Sequence, residues 1–346
     1  MSVKYAVIRA MFEVLWLSRL PRLLRALSSS RGVIFTLHRV LPEEPAAFSP
    51  NAILQVQPDF LEYVIERLRD LKIDIVGLDE ALERLAAPKK GRPFVVLTFD
   101  DAYKDNLKYA LPILRRQEAP FTLYVPTALV DGVGELWWQA IEDIIVRQEA
   151  IALTAGGETD YVDTGTVRQK HEAFNALYWQ MRQMPEEARV ALLRRFATDY
   201  GYDLDQQCRN LIMDWQELRH FAGEPLCTIG AHTVHHYELA KLPLEQARNE
   251  MSQSVEILLA QFGVRPAHFS YPLGGPLSAG QREFDLAREL GFRSAVTTRP
   301  GGLYARHART PEALPRVSLN GYFQSRRYVD VFATGAIFSA MGRLTG

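Results

Sequence analysis

Two kinds of hydrophobic pattern alternate along most of the chain. Short continuous apolar runs are typical of buried parallel strands, and they predict strands at Val33–Leu37, Phe94–Phe99, Phe121–Val125, Cys227–Ala231, His268–Tyr271 and Ser294–Thr297. Between these runs apolar residues recur at helical spacing, which predicts helices at Pro58–Leu71, Asp105–Gln117, Pro243–Phe262 and Gln281–Leu290. Strands and helices in alternation predict an α/β protein with a parallel sheet or barrel.

The stretch from residue 131 to residue 213 interrupts this alternation. It holds several amphipathic helical segments, such as Glu186–Tyr200, and a Gly- and Thr-rich piece, Thr154–Thr166. We therefore predict a mostly helical insertion at 131–213 that splits one domain into residues 32–130 and 214–325, with 326–346 as a C-terminal segment. Such an insertion either shapes a substrate site, as loops after barrel strands often do, or serves as a structural cap.

Composition narrows the class of protein. The chain has 346 residues, of which 47% are hydrophobic, as expected of a globular protein with a sizeable core. Its 40 basic and 41 acidic residues nearly cancel, so no basic excess indicates nucleic-acid binding. The two cysteines, Cys208 and Cys227, are too few for a disulfide framework and favour a reducing compartment.

Residues 1–31 are both apolar and basic. Six Lys and Arg residues stand against one acid, Glu13, and apolar residues recur at helical spacing. Arg9 and Glu13 break the apolar run, so it matches neither a clean signal peptide nor a transmembrane helix. We predict a basic amphipathic helix that either lies on an anionic membrane surface or packs on its own domain. A poorly cleaved secretion signal is the third interpretation.

Two adjacent carboxylates, Asp100 and Asp101, end the apolar run Phe94–Phe99. In a parallel α/β fold, catalytic groups gather at the carboxyl ends of the strands. One carboxylate at such a position can bind a metal while its neighbour takes a proton. The alternative is a solvated turn in which one of the two caps the next helix.

Three histidines follow the apolar run Cys227–Ala231 within five positions: His232, His235 and His236. His232 and His236 are four residues apart, so one turn of helix or a tight loop can aim both imidazoles at one point. Two histidines and one aspartate make a metal site that leaves positions open for water and substrate. His235 competes with His236, because it also shares a face with His232.

Together the two motifs resemble the polysaccharide deacetylase family, the carbohydrate esterases with a NodB-homology domain. The family's Thr-Phe-Asp-Asp motif is present as Thr98–Asp101, and its His-Ser/Thr-x-x-His motif as His232–His236. A later Tyr271-Pro272-x-Gly274 adds to the likeness, which covers most of residues 32–319 outside the insertion. The resemblance implies a deformed (β/α)7 barrel of the NodB-homology type.

The resemblance also implies a reaction. Zn²⁺ or another divalent ion, held by Asp101, His232 and His236, would polarise the acetamide carbonyl and lower the pKa of bound water to roughly 7. Asp100 would take the proton of the attacking water. A backbone N–H of the third motif, at Leu273 in this chain, would support the oxyanion.

Two parts of the family pattern are altered. Many relatives carry in the third motif an Arg that orients the base, but the matching position here is Ser270. We predict that Arg316 takes this role, the alternative being a structural salt bridge. The late general-acid histidine of many relatives is missing too, since His307 is a poor match. Some relatives carry that motif on the first strand, where His38 fits it; we therefore predict His38 as the general acid, or else as a cap of that strand.

The family removes acetyl groups from N-acetylated or O-acetylated sugars. The insertion, the lack of a clear signal peptide and the basic N-terminal helix predict a cytoplasmic enzyme, peripheral on the inner membrane, that acts on a nascent or lipid-linked bacterial glycan. A chito-oligosaccharide is the second candidate. A non-catalytic glycan-binding protein on the same fold and a hydrolase of another C–N amide bond stay open. Trp137 and Trp138 either stack on sugar rings or pack in the core.

Overall fold

The computed structural model of the protein describes residues 3–18, 29–88, 91–155, 158–335 and residue 338. The strands in this part of the chain are β1 Gly32–Leu37, β2 Arg39–Val40, β3 Gln55–Val56, β4 Asp74–Ile75, β5 Phe94–Asp100, β6 Phe121–Val125, β7 Ala150–Ala155, β8 Glu158–Asp163, β9 Cys227–Ala231, β10 His268–Ser270, β11 Ser294–Val296 and β12 Val317–Ser318. The α-helices are α1 Val3–Leu17, α2 Pro58–Asp70, α3 Leu78–Ala86, α4 Leu111–Arg116, α5 Thr127–Val130, α6 Trp137–Val146, α7 Val167–Gln183, α8 Glu186–Asp199, α9 Leu204–Leu211, α10 Trp215–Ala222, α11 Leu244–Phe262, α12 Gln281–Glu289 and α13 Tyr328–Phe332.

Parallel strands form the centre of the fold. Within the described residues they follow the order β11-β10-β9-β6-β5-β1-β12, and β4 pairs with the first half of β5. The two ends of this path meet, because Leu314, just before β12, forms a parallel bridge with Val296 of β11. Seven parallel strands thus close into a barrel with the helices around it, which confirms the predicted deformed (β/α)7 fold.

The barrel strands are buried on both faces, as their continuous apolar sequences require. Every residue of β5 is buried, and side chains of alternate residues point into the barrel. Ile34, Val96 and Val296 belong to one buried apolar cluster together with Tyr124. The Tyr124 ring fits because residue 230 is glycine; a Cβ at Gly230 would overlap that ring. At the carboxyl ends of β5 and β9 the buried residues are instead polar: Asp100, Asp101 and His232.

The predicted boundaries of the main strands agree with the structure to within one residue. The segment predicted as one helix at Asp105–Gln117 begins instead as a π-helical turn, Asn106–Ala110, and continues as α4. The insertion holds the four helices α6–α9, and its Gly- and Thr-rich piece forms part of an antiparallel hairpin, β7–β8, that the sequence did not indicate. The short strands β4 and β12, two residues each, were also missed.

Helix α1 packs one side against the C-terminal part of the chain. Phe12 is buried among aromatic rings that include Phe323, Tyr328 and Phe332. Within the described ranges no helix is long and apolar enough to cross a membrane. Of the basic residues predicted for this helix, those at positions 19, 22 and 25 lie outside the described residues, as does most of 336–346.

Candidate active site

Adjacent residues of a strand normally point to opposite faces, yet Asp100 and Asp101 both face the mouth of the barrel. The reason is a change of backbone conformation at the end of β5. Asp101 and Ala102 have positive φ angles of 73° and 59°. This left-handed kink turns the Asp101 carboxylate back towards the barrel axis, and both carboxylates are buried. The structure therefore brings the two adjacent acids into one site.

Asp101 meets two histidines that come from the loop after β9. Its Oδ1 atom lies 3.6 Å from His232 Nε2 and 3.3 Å from His236 Nε2. One ligand atom from each residue lies within 4.8 Å of the others, and all three side chains are buried. Asp101 Oδ1 accepts no hydrogen bond from any described residue. A buried, unpaired carboxylate oxygen that faces two imidazole nitrogens fits a divalent cation such as Zn²⁺.

The loop His232–His236 is a tight turn and not a helix. Thr233 and His236 have positive φ angles of 66° and 59°. The Thr233 hydroxyl accepts a hydrogen bond from the His236 N–H at 3.0 Å, which closes the turn and brings the second imidazole over the first. The Thr of the His-Thr-x-x-His motif is thus explained by the local hydrogen bond that it makes.

His235 points away from this cluster. Its side chain is about half exposed, and its Nδ1 lies 2.6 Å from Glu250 Oε1 on α11. Glu250 Oε2 also accepts the backbone N–H groups of Val234 and His235. The hydrogen bond with Glu250 raises the pKa of His235. His235 therefore anchors the loop to α11, and His236 is the histidine that the structure places beside Asp101.

The ionisation of the ligands also favours a cation. Burial lowers the pKa of His232, and it lowers the pKa of His236 to well below its ordinary value, so both imidazoles are neutral at pH 7. Neutral imidazoles are the form that binds metals. Burial, and next the charge of Asp100, raise the pKa of Asp101 well above its usual range. A cation beside Asp101 reverses this effect, because it stabilises the carboxylate.

Asp100 is held by Arg316, which immediately precedes β12. The guanidinium donates two hydrogen bonds to the carboxylate, Nη1 to Oδ1 at 2.8 Å and Nη2 to Oδ2 at 2.7 Å. Arg316 is fully fixed, since it also donates to the Thr297 carbonyl, to the Thr98 hydroxyl and to the Ser270 hydroxyl. Burial alone would raise the pKa of Asp100, but the charge and hydrogen bonds of Arg316 outweigh it and hold that pKa below its usual value.

Comparison with known proteins agrees with this geometry. The sequence model of a family described as polysaccharide deacetylase matches residues 87–153 and 162–295, which is more than half of the chain. The chain belongs to the polysaccharide deacetylase family. The matched ranges contain Asp100, Asp101, both ligand histidines and Leu273, but neither His38 nor Arg316.

Solved deacetylases share the fold. The deacetylase PplD of Streptococcus pyogenes, solved in complex with acetate, superposes with a TM-score of 0.57 at 16% identity and covers 88% of this chain and 99% of its own. IcaB from Ammonifex degensii gives a TM-score of 0.53 at 17% identity, covering 86% and 96%. In sequence, YxkH of Bacillus subtilis (strain 168), named as a polysaccharide deacetylase, is 28% identical over 107 residues. That match covers 29% of this chain and only 37% of the length of YxkH.

Arg316 supplies the guanidinium that the third motif of this chain lacks. Ser270, which the family resemblance matched to a base-orienting Arg, has a small side chain that lies against the Arg316 guanidinium. The Ser270 hydroxyl accepts from Arg316 Nη2 at 3.0 Å and lies 3.5 Å from Asp100 Oδ2. The predicted placement of Arg316 beside Asp100 is thus observed. Its role in turnover stays a prediction.

His38 follows the last residue of β1, the strand between β5 and β12. Its backbone carbonyl accepts a hydrogen bond from Asn106 Nδ2 at 2.9 Å, which fixes the end of the strand. Burial, partly opposed by the charge of Asp100, lowers the pKa of His38 to about 4. His38 is therefore neutral at pH 7, and as a general acid it would first have to gain a proton during turnover. The fallback candidate, His307, follows Leu303, which pairs with Gly32 at the opposite end of β1.

Leu273 lies in the loop after β10. It has a positive φ angle of 59°, and within the described part of the chain its N–H donates to no other group. Thr298 holds the loop by a hydrogen bond from its hydroxyl to the Leu273 carbonyl. His232 borders the same strand end, since its Nδ1 lies 2.6 Å from the Ser270 carbonyl. A free N–H in a fixed loop is suited to stabilising an oxyanion.

Backbone strain marks this site in a way that the sequence did not reveal. Non-glycine residues with positive φ carry a cost of about 1–3 kcal/mol each, and they cluster at functional sites. Five of the seven such residues in the described chain lie here: Asp101, Ala102, Thr233, His236 and Leu273. No hydrophobic pattern could have found them, because a positive φ angle does not depend on the alternation of apolar and polar residues.

Trp138 contacts the site in a way that the sequence did not indicate. Trp137 and Trp138 are both buried, so they pack in the core and do not form an exposed sugar platform. The Trp138 ring, however, lies 5.0 Å from the His236 ring, and its Nε1 donates to the Tyr103 hydroxyl at 3.2 Å. The insertion therefore contacts the Asp101–His232–His236 cluster directly, through His236.

Proposed function

We propose that this chain removes acetyl groups from N-acetylated sugars of a bacterial glycan in a metal-dependent hydrolysis. Family and fold support the reaction class. The observation that carries the metal dependence is the buried Asp101–His232–His236 cluster, with its unpaired Asp101 oxygen and its two neutral imidazoles. When bound there, a divalent cation would polarise the acetyl carbonyl and lower the pKa of water.

The remaining groups of the site have distinct roles in this proposal. Asp100, kept ionised by Arg316, accepts the proton of the attacking water. The Leu273 N–H donates to the carbonyl oxygen as negative charge develops there. His38 follows β1, the strand next to the one that ends in Asp100; it takes up the proton that Asp100 has accepted from water and delivers it to the departing nitrogen, which is a very poor leaving group as an anion. Arg316 keeps the carboxylate of Asp100 in one orientation by its two parallel hydrogen bonds.

The first experiment measures bound metal and acetate release together. Wild-type protein and the His232→Ala/His236→Ala double variant are analysed for zinc and assayed on N-acetylated chito-oligosaccharides and acetylated glycans, with and without added zinc. We expect about one zinc per wild-type chain, and loss of both metal and acetate release in the double variant. His235→Ala, which changes the histidine that faces Glu250, is the matched control and retains the metal. Full zinc retention in the double variant contradicts the proposal.

The second experiment separates catalysis from binding. Asp100→Asn keeps the shape of the side chain but cannot accept a proton, so we expect it to bind zinc normally and to lose acetate release. Turnover near the wild-type rate would remove Asp100 from the mechanism. If wild-type protein binds glycans without releasing acetate, the alternative of a glycan-binding protein is supported. Release of a product other than acetate supports a different amide substrate.

We further propose that the enzyme associates peripherally with anionic membranes through α1, consistent with the predicted cytoplasmic location at the inner membrane. Val7, Val14 and Leu17 share the outward side of α1 and are 63–69% exposed. Two of the three charged residues of α1 contact the C-terminal part of the chain: Arg9 donates to the Tyr322 carbonyl, and Glu13 accepts from the Tyr328 hydroxyl. These three exposed apolar side chains are of the kind that inserts into the headgroup region of a membrane.

A further inference from the structure

The two ligand histidines differ in what fixes their second ring nitrogen. His232 Nδ1 lies 2.6 Å from the Ser270 carbonyl, which sets its tautomer and its orientation. His236 Nδ1 is buried and has no hydrogen-bond partner among the described residues. Metal-binding histidines almost always donate their second N–H to an oxygen, and loss of that partner weakens metal binding. The orientation of His236 must therefore be set by other contacts.

One contact comes from Trp138, at the start of helix α6 in the insertion. The indole and the imidazole have centroids 5.0 Å apart and an angle of 55° between their planes. The indole is itself fixed, since Nε1 donates to the Tyr103 hydroxyl at 3.2 Å and Trp137 packs against its edge at 5.8 Å. A fixed aromatic ring thus packs against the imidazole, whose Nδ1 atom no hydrogen bond restrains.

A second contact holds the backbone just after His236. The guanidinium of Arg189, on helix α8 of the insertion, lies between the rings of Trp137 and Tyr237, at 5.5 Å and 5.7 Å from their centroids. Glu186 accepts two hydrogen bonds from Arg189, at 2.6 Å and 2.8 Å, and one from the backbone N–H of Glu238 at 3.3 Å. Arg189 and Glu186 are both buried, so this ion pair is shielded from solvent and salt.

We propose that Trp138 and Arg189 of the insertion are positioning residues that orient His236 for metal binding. This inference rests on the proposed function, because it takes His236 as a metal ligand. It also gives the insertion a defined role, since Trp138 fixes the imidazole and Arg189 fixes the loop from which the imidazole projects. The insertion then acts as part of the metal centre and not as a separate cap.

Zinc affinity of the full chain, measured by competition with a chromophoric chelator, tests this proposal. We expect Trp138→Leu and Arg189→Met to weaken zinc binding about 10–100-fold, the range found when supporting contacts of metal ligands are removed. Trp138→Phe keeps an aromatic ring against His236 and restores most of the affinity. Trp179→Leu is the matched control, because Trp179 lies on the same insertion but is 57% exposed; its affinity equals that of the wild type.

A second readout reports geometry directly. With Co²⁺ in place of zinc, the visible absorption spectrum reflects the arrangement of ligands, and we expect it to change in Trp138→Leu but not in Trp179→Leu. Wild-type zinc affinity and an unchanged cobalt spectrum in folded Trp138→Leu and Arg189→Met would overturn the inference. If Trp138→Leu does not fold, Arg189→Lys replaces it with the same expectation, since lysine keeps the charge but loses the planar fork. A wild-type chain that binds no metal refutes the proposed function itself.

Discussion

Replacing Arg316 by methionine tests how much the ion pair between Arg316 and Asp100 stabilises the fold. The guanidinium is fully buried and makes two hydrogen bonds of 2.7–2.8 Å with a carboxylate that is itself 3% exposed. Methionine fills much of the same volume but leaves the Asp100 charge buried without a partner. Removal of one member of a buried ion pair typically costs about 3–5 kcal/mol, and we expect a loss of this size in the free energy of unfolding at pH 7.5.

The loss in the free energy of unfolding should increase as the pH rises. In wild-type protein Arg316 holds the pKa of Asp100 below its usual value, so the stabilisation is present above the unfolded-state pKa of about 3.9 and is lost as pH falls through the lower folded-state pKa. Without Arg316, burial raises the pKa of Asp100, and the variant becomes less stable as pH rises above about 3.9. The destabilisation is therefore larger at pH 7.5 than at pH 5.

Urea unfolding of metal-free protein at both pH values measures this difference. Arg67→Met is the matched control, because Arg67 pairs with Asp330 in the same two-bond geometry at 2.7 Å and 2.8 Å but is 24% exposed. It should lose about 1 kcal/mol or less at either pH. The double variant Asp100→Asn/Arg316→Met removes the stranded charge and should recover much of the loss. A penalty for Arg316→Met that is no larger than that of the control, or equal at the two pH values, would refute the reasoning.

Three further predictions concern other parts of the molecule. His38→Ala should lower hydrolysis of an N-acetyl sugar by about 10²–10⁴ but spare an activated acetyl ester, whose leaving group departs without a proton. Gly230→Ala should destabilise the fold by roughly 1–3 kcal/mol in urea unfolding, since the new Cβ overlaps the buried Tyr124 ring. Val14→Glu/Leu17→Glu should reduce co-sedimentation with phosphatidylglycerol vesicles, because it places charge on the exposed apolar side of α1.

Each of these predictions has its own control. Equal large losses on amide and ester would assign His38 a positioning role. Gly77→Ala, at a position where no atom lies within 4 Å of the new Cβ, should cost less than about 1 kcal/mol, and an equal cost at Gly230 would contradict the overlap argument. Val167→Glu changes an exposed valine of the insertion and should sediment like wild type. If the α1 variant does so as well, the membrane proposal fails.

The sequence predicted those features that depend on local pattern. Continuous apolar runs predicted the main strands. The motifs at the ends of two of these strands predicted that Asp101, His232 and His236 lie together. Arg316 was proposed only because Ser270 cannot supply the guanidinium that orients Asp100 in the family pattern. The contact between Arg316 and Asp100 depends on closure of the barrel, which no local pattern predicts. The two-residue strands β4 and β12 carry too little pattern to be recognised, since they form only by pairing with longer neighbours.

Other parts of the site lie beyond sequence patterns for a physical reason. The left-handed conformation at Asp101 goes against the preference of the residue itself, and its N–H is held by the carbonyl of Tyr124 on the neighbouring strand. The contact of Trp138 with His236 joins the insertion to a loop almost a hundred residues later. Trp137 and Trp138 are apolar residues in the sequence, and both are buried in the structure. The periodicity of the sequence cannot predict, however, that Trp138 contacts His236.

The residues of the site are synthesised at different times, and the residue that pairs with Asp100 comes last. Asp101, His232 and His236 are all present once residue 236 has been made, but Arg316 comes 80 residues later, next to the strand that joins β1 to β11. At about 5–20 residues per second, this interval is on the order of several seconds. A nascent chain thus contains Asp101, His232 and His236 before it contains the cation that pairs with Asp100. Asp100 can acquire its Arg316 partner only once the segment that closes the barrel between β1 and β11 has been made.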